Sequence, residues 1–588
     1  MKRLLAVFFT AVILLPLFCQ SVFVEQEIDF AKVMPADINV IGGEITCQPV
    51  RTSYGYIATG DGKQLYGFTQ EGKLLWQRSA KFRLKKFLSV FSEDLVCIVS
   101  TDSKVSLLNS SGLNLWTSKC DFVISDAPIQ AQDGRIFVRG KNTLSCYGIK
   151  GTRRWQIDTE EQNLKIKPAL LEDGSVIIFF ARTKEGKSIG HRISAYGKVL
   201  EEIVFAGQIA EALSMQEGIV LSFTDGSAGF LALEKENTVS KWTIPSGNAG
   251  MQAPVKILAD KKNKEAYFIY GTDSKIARIK AKNGQILAQF NSGLGTAALT
   301  YGAITSQGIV LAGKAKACCM NKDGNTMWRV KFDPKKSIKY LFASDSGYLV
   351  LCNSNWALEL YQARLNVGSK GSSYIEDKTR PLKTEEIENL MPSSYEFGQA
   401  IEQDKINEML ADFTEGNLKE KEEEYLTLLN MEIKEMAGQW NRVKATGGLR
   451  ESLYFKENMD YATSLIELAS ESQVYFCRNE IIAMLKNVSD PSLLLILIRC
   501  CGKIAWDPDC QILNTFEYLM NTKKIQPSDK VLLDAMAEST LEICTFMGRP
   551  AFYQKGKNII GYMLYPQFQR ETREKAVNVL KKIADSKL

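Results

Sequence analysis

The sequence predicts a multidomain chain, with an all-β propeller of about eight four-stranded blades followed by an all-α helical repeat. Three observations carry this. A strand-turn-strand unit ending in Gly-x-x-x-Trp recurs about every 40 residues. Each copy is preceded by an apolar, β-branched or aromatic run, with no helical pattern between copies. After about residue 366 the apolar period changes from that of strands to that of helices.

The chain opens with Lys2 and Arg3 before an apolar run from Leu4 to Phe18, too short to span a bilayer comfortably. This is the pattern of a secretory signal, placed at residues 1–21 with cleavage after Ser21. Acylation at Cys19 is the alternative use of the segment. The mature chain is expected in the periplasm or attached to a bacterial envelope.

The repeat anchors are Gly72, Gly112, Gly151, Gly197, Thr238, Gly284 and Gly324, with gaps of 40, 39, 46, 41, 46 and 40 residues. Four residues after the anchor stand Trp76, Trp116, Trp155, Trp242 and Trp328, while Glu201 and Ala288 depart from the pattern. Runs such as Val96–Val99, Val176–Phe180 and Tyr267–Tyr270 read as strands buried on both faces. Pro49, Pro128, Pro168 and Pro254 open copies, where no ladder N–H is required. A shortened last copy, from Gly347 to Tyr361, calls for a strand from about Val22 to Phe30 to complete it.

The 588 residues exceed one hydrophobic core, so two or more domains are expected. A net charge of +6 with no long basic run excludes an obvious nucleic-acid surface, and Lys81 to Phe87 reads as a solvated strand face. The single histidine, His191, excludes multi-histidine metal sites and reads as a half-exposed strand residue. Thirteen cysteines include no C-x-x-C pair. Most, such as Cys97, Cys352, Cys477 and Cys544, lie in apolar patterns where a free thiol acts as a small hydrophobe. Export permits disulfides, and the pattern leaves their status open.

A strand followed by Gly-x-x-x-Trp resembles the tryptophan-docking repeat of quinoprotein-type (PQQ-like) propellers, over about residues 40 to 365. The resemblance implies that the tryptophan of one blade braces its neighbour. Gly72, Trp76, Gly112, Trp116, Gly151, Trp155, Trp242, Gly324 and Trp328 would then be blade-docking residues. Eight short blades behind a signal segment are most similar to the propeller lipoprotein of the outer-membrane β-barrel assembly machinery.

Quinoprotein alcohol dehydrogenases share the fold. They hold their cofactor at the channel mouth with calcium, an aspartate and a disulfide between adjacent cysteines. Cys318-Cys319 is the nearest counterpart here, but it lies in an alternating strand, whose neighbouring residues face opposite ways. The repeats also lack long insertions to cover a cofactor. The expectation is a non-catalytic scaffold with no cofactor, binding other envelope proteins, without nucleic acid, and meeting membrane only through partners or a lipid on Cys19. The alternatives are a PQQ-dependent dehydrogenase and a ligand-sensing propeller.

The propeller is placed at residues 22–366, a Gly- and Ser-rich linker at 367–383 and the helical domain at 384–588. Thr384 opens a first helix to Met391. Helical spans follow at Asn417–Met436, Tyr461–Ala469, Tyr475–Lys486, Pro491–Ala505, Cys510–Met520, Asp529–Met547, Tyr553–Met563 and Arg570–Ala584. The stretch from Asp490-Pro491 to Pro508 is similar to a HEAT-type pattern, implying an α-solenoid. Cys500-Cys501 sits inside it as packing.

Overall fold

The computed structural model of the chain describes residues 31–33, 44–362 and 401–586, apart from short stretches within these ranges. The signal segment with Cys19 and Ser21, the strand expected at 22–30, the linker at 367–383 and the helix expected at 384–391 lie outside the described residues.

The architecture is a β-propeller followed by helices. Among the described residues its strands form eight four-stranded sheets, numbered in chain order: 50–79, 84–119, 129–158, 169–204, 209–244, 254–291, 301–331 and 338–362. The first seven are simple meanders. The eighth takes its outer strand from the start of the chain, where Ala31–Val33 pairs with Leu358–Gln362. The described closing strand therefore begins after the 22–30 span expected for it.

Burial explains the strand patterns. The second strand of a sheet, such as Gly55–Gly60 or Val96–Ser100, is buried at every residue. A strand covered on both faces has no polar side, so it reads as a continuous apolar run. The outermost strands alternate, as in Leu74–Ser79 and Thr326–Lys331, where Trp76 and Trp328 are the buried positions.

The chain divides into two compact units that cross the boundary read at 366. The first comprises Met1–Lys81, Asn163–Arg192 and Leu200–Glu376. Its cores lie between successive sheets: Val220 and Phe230 meet Ile257 and Phe268, and Val310 and Trp328 meet Leu341 and Leu349.

The second unit comprises Phe82–Gln162, Ile193–Val199 and Asp377–Leu588. It joins sheets 2 and 3 to the helices in one continuous core. Leu95, Cys97, Ile136 and Tyr147 of the sheets share it with Phe413, Tyr425, Leu497, Met536 and Phe546.

Nine helices stand among the described residues: α1 (Gln403–Glu415), α2 (Glu422–Ala445), α3 (Gly448–Ser472), α4 (Arg478–Asn487), α5 (Pro491–Ile504), α6 (Gln511–Asn521), α7 (Lys530–Met547), α8 (Pro550–Tyr562) and α9 (Arg570–Ser586). The start at Asp490-Pro491 has its physical cause in the cap. The Asp490 carboxylate accepts from Ser492 N and Leu493 N at 2.9 and 3.0 Å, and Pro491 needs no partner. Two sequence expectations change. The short helix at 461–469 is the end of the 25-residue α3, and α1 had no counterpart in the reading. Its apolar residues Ile406, Met409 and Phe413 are buried, but charged residues separate them.

Candidate interaction surface

The repeat anchors build the frame. Gly72 and Gly112 close their turns by donating to Thr69 O and Asn109 O at 3.1 and 2.9 Å. Gly151 has φ +87°, and a Cβ there would lie 2.5 Å from the Trp116 ring. Only glycine meets both conditions. Trp116 of sheet 2 thus lies flat on the anchor of sheet 3, and its Nε1 donates to Ile149 O at 2.8 Å. The same arrangement recurs one sheet on, with Trp155 against Gly197 and donating to Ala195 O at 2.9 Å. Trp242 likewise covers Gly284 and donates to Ala281 O at 2.7 Å. Trp328 is buried among Leu341, Ala343 and Leu349 of sheet 8, and Trp76 lies over Gly67 within its own sheet.

Both departures from the pattern are compensated. Where Glu201 replaces tryptophan, the next anchor is Thr238 instead of glycine, and the Glu201 carboxylate accepts from Thr238 N at 3.0 Å. Where Ala288 replaces it, Phe290 on the same strand packs on Gly324, a Cβ there lying 2.5 Å from its ring. The sequence reading missed Phe290 because it stands two residues beyond the tryptophan position. The only signal is an aromatic on the same face of the strand.

In six of the sheets one residue is left out of the ladder beside this brace. A register shift recurs where the third strand meets the outermost one: at Gly67/Phe68, Leu107/Leu108, Cys146/Tyr147, Phe230/Leu231, Arg278/Ile279 and Cys319/Met320. The unpaired residue opposite each shift is Leu75, Leu115, Arg154, Lys241, Leu287 and Met327. Each immediately precedes the tryptophan position. A bulge leaves its extra residue out of the ladder and re-aims it. Leu75, Leu287 and Met327 are 47%, 38% and 42% exposed, and Leu200, at the same place after its anchor, is 45% exposed.

In sheets 2 and 3 the helices cover this layer. Leu115 and Trp116 pack against the shared core. Arg154 is buried, donates to Ser472 O at the end of α3, and lies 5.2 Å from the Phe413 ring centre. The turn of sheet 2 caps the end of α7: Asn109 Nδ2 donates to Thr545 O at 2.6 Å and Ser111 Oγ to Gly548 O at 2.8 Å. Arg549 pairs with Glu93 and lies 3.4 Å from Asp94. Donors and cations thus meet the negative ends of two helices.

At the centre of this contact, Glu422 is only 1% exposed and lies 3.8 Å from Arg135 and 4.0 Å from Arg154. Burial pulls the Arg154 guanidinium down. At Arg135 burial acts the same way, but the Glu422 and Asp133 carboxylates outweigh it and the net direction is up. Lys150, on the turn of sheet 3, stands 4.4 Å from the Phe546 ring centre, and burial lowers its pKa to about 8, opposed by Glu542.

The remaining candidates for chemistry are packing groups. Cys318 packs with Ile269, Ile276 and Leu311, whereas Cys319 packs with Trp328 and Leu341, so adjacent strand residues face different cores. Burial pushes both thiols up to about 12. The twelve described cysteines are all free thiols. His191 is 22% exposed, 3.6 Å from Glu202, with its ring centre 4.7 Å from that of Phe180. Among the described residues no group of three or more His, Cys, Asp or Glu is arranged to hold a metal, and no helix is long and apolar enough to cross a membrane.

Residues 61–255 match the family described as outer membrane protein assembly factor BamB. No curated protein matches the chain. Among solved structures, the chain is similar to BamB from Moraxella catarrhalis at 13% identity and TM-score 0.42, covering 57% of this chain and 99% of that one. It is also similar to the computationally designed Ika8 protein at 13% identity and TM-score 0.42, covering 57% and 98%. The dihydro-heme d1 dehydrogenase NirN matches at 10% identity and TM-score 0.40, covering 58% and 81%.

Proposed function

We propose that this chain is a non-catalytic protein-binding scaffold of the bacterial cell envelope, exported to the periplasm, where it supports assembly of outer-membrane or other envelope proteins. The eight sheets are read as the eight blades of one propeller, and the helical region as a HEAT-like surface fused to two of them. One observation carries the reading. A bulge re-aims the residue before the tryptophan position, which is apolar in sheets 1, 2, 6 and 7, and the chain's own helices cover that layer on sheets 2 and 3 while Leu75, Leu287 and Met327 stay exposed. Repeated apolar residues on sheet faces are a mark of protein contact surfaces. The match of residues 61–255 to an outer membrane protein assembly family supports the envelope assignment.

The test is in-cell crosslinking followed by capture of the tagged chain from envelope extracts. A reproducible set of envelope proteins, lost when Leu287 and Met327 are both changed to Lys, is the expected result. An extract that yields no specific partner overturns the reading. Addition of PQQ and calcium, followed by dye reduction, is expected to leave the protein inactive; quinone-dependent turnover would replace the scaffold with an oxidoreductase.

A further inference from the structure

The turns of sheets 2 and 7 are built alike at one unusual residue. Asn109 Oδ1 accepts from Ser111 N and Leu113 N, both at 3.0 Å. Asn321 Oδ1 accepts from Asp323 N and Asn325 N, both at 2.9 Å. The backbone repeats as well: Gly112 N donates to Asn109 O at 2.9 Å and Gly324 N to Asn321 O at 3.1 Å. The inward task needs only an oxygen. In sheet 4, Ser194 Oγ performs it, accepting from Tyr196 N and Lys198 N at 3.1 Å. An asparagine adds two N–H donors that the turn does not use.

In sheet 2 that spare amide has an occupant, since it donates to Thr545 O at the carboxyl end of α7. In sheet 7 the Asn321 amide has no acceptor among the described residues, although the turn has the same geometry. The bulge residues correspond too. Leu115 packs against the helix-bearing core, and Met327 is 42% exposed.

We propose that the turn Asn321–Gly324 with Met327 is a second helix-end docking site, built like the one on sheet 2. Its occupant is the carboxyl-terminal end of an amphipathic helix in a partner protein. Charge complementarity selects this occupant. The end of a helix carries unpaired carbonyls and about half a negative charge. The site answers with the Asn321 amide and with exposed Lys322 beside it. Asp323, which would repel carbonyls, is held 3.7 Å from Arg278. The apolar face of such a helix would rest on Met327.

The proposal rests on the scaffold reading above and deepens it. The probe is a helix-stapled, fluorescent peptide with the sequence of residues 532–549, the helix end that seats on Asn109, titrated against the full chain by anisotropy. Saturable binding is expected. Asn321→Ser keeps the inward acceptor, as Ser194 shows, and should weaken binding about tenfold, the worth of one hydrogen bond to a helix end. Met327→Lys should weaken it further and Met327→Leu should preserve it. Asn109→Ser should leave the peptide affinity unchanged. No saturable binding, or binding that survives both Asn321→Ser and Met327→Lys, overturns the proposal. So does self-association lost in Met327→Lys but kept in Asn321→Ser, which would assign the face to a second copy. Envelope partners still captured by the Asn321→Ser, Met327→Lys double variant would remove this site while leaving the scaffold reading in place.

Discussion

Sheets 2 and 7 have the same turn, the same glycine anchor and the same bulge, yet their outer layers differ in what covers them. On sheet 2 the asparagine amide is spent on a helix end and Leu115 is packed. On sheet 7 the corresponding amide has no acceptor among the described residues and Met327 is exposed. Local sequence builds the same platform in both places. Coverage depends on whether the rest of the chain supplies a surface with matching carbonyls and apolar residues. A repeat fold can thus hold one copy of its platform for its own architecture and leave others free.

Five substitutions test how the covered and uncovered sheets differ. The largest effect is expected at Glu422→Gln, which leaves Arg135 and Arg154 buried without their shared carboxylate. A broken buried ion pair costs about 3–5 kcal/mol. Urea unfolding should show the loss, and an unchanged midpoint would mean the cluster is dispensable. Trp155→Ala removes a buried brace and its bond to Ala195 O, and should cost about 3 kcal/mol in the same measurement.

Lys150 gives a pH signature. The folded lysine releases its proton near pH 8, whereas the unfolded chain holds it to about 10.5. Between these values the unfolded state binds more protons, so stability rises with pH, by at most about 1.4 kcal/mol per pH unit. Lys150→Met should remove that slope; a slope that persists would assign it to another group. The smallest effect separates the two platforms directly. Asn109→Ser should cost about 1 kcal/mol by uncapping α7, and Asn321→Ser should cost under about 0.5 kcal/mol because its amide has no acceptor among the described residues. Equal costs would show that the amides are spent on the turns themselves.

The anchors Gly72, Gly112, Gly151 and Gly324 were legible in the sequence because a positive φ in a tight turn strongly favours glycine. The tryptophans were legible because a flat indole on a bare glycine recurs at a fixed spacing. Phe290 and the pair Glu201–Thr238 were not, since each solves the same packing problem with different chemistry. The bulge residues were invisible for another reason. A register shift of one residue leaves the composition of the strand unchanged and alters only where the side chain points.

The sequence alone determined the strand repeat, the change to helices and the tryptophans Trp116, Trp155 and Trp242 that brace the next sheet's anchor, because these follow from local periodicity and from glycine's backbone freedom. Tertiary structure alone decided that the helices share one core with sheets 2 and 3. That outcome depends on contacts between residues hundreds of positions apart, such as Asn109 with Thr545 and Arg154 with Ser472. No local pattern encodes which carbonyl a spare amide will meet.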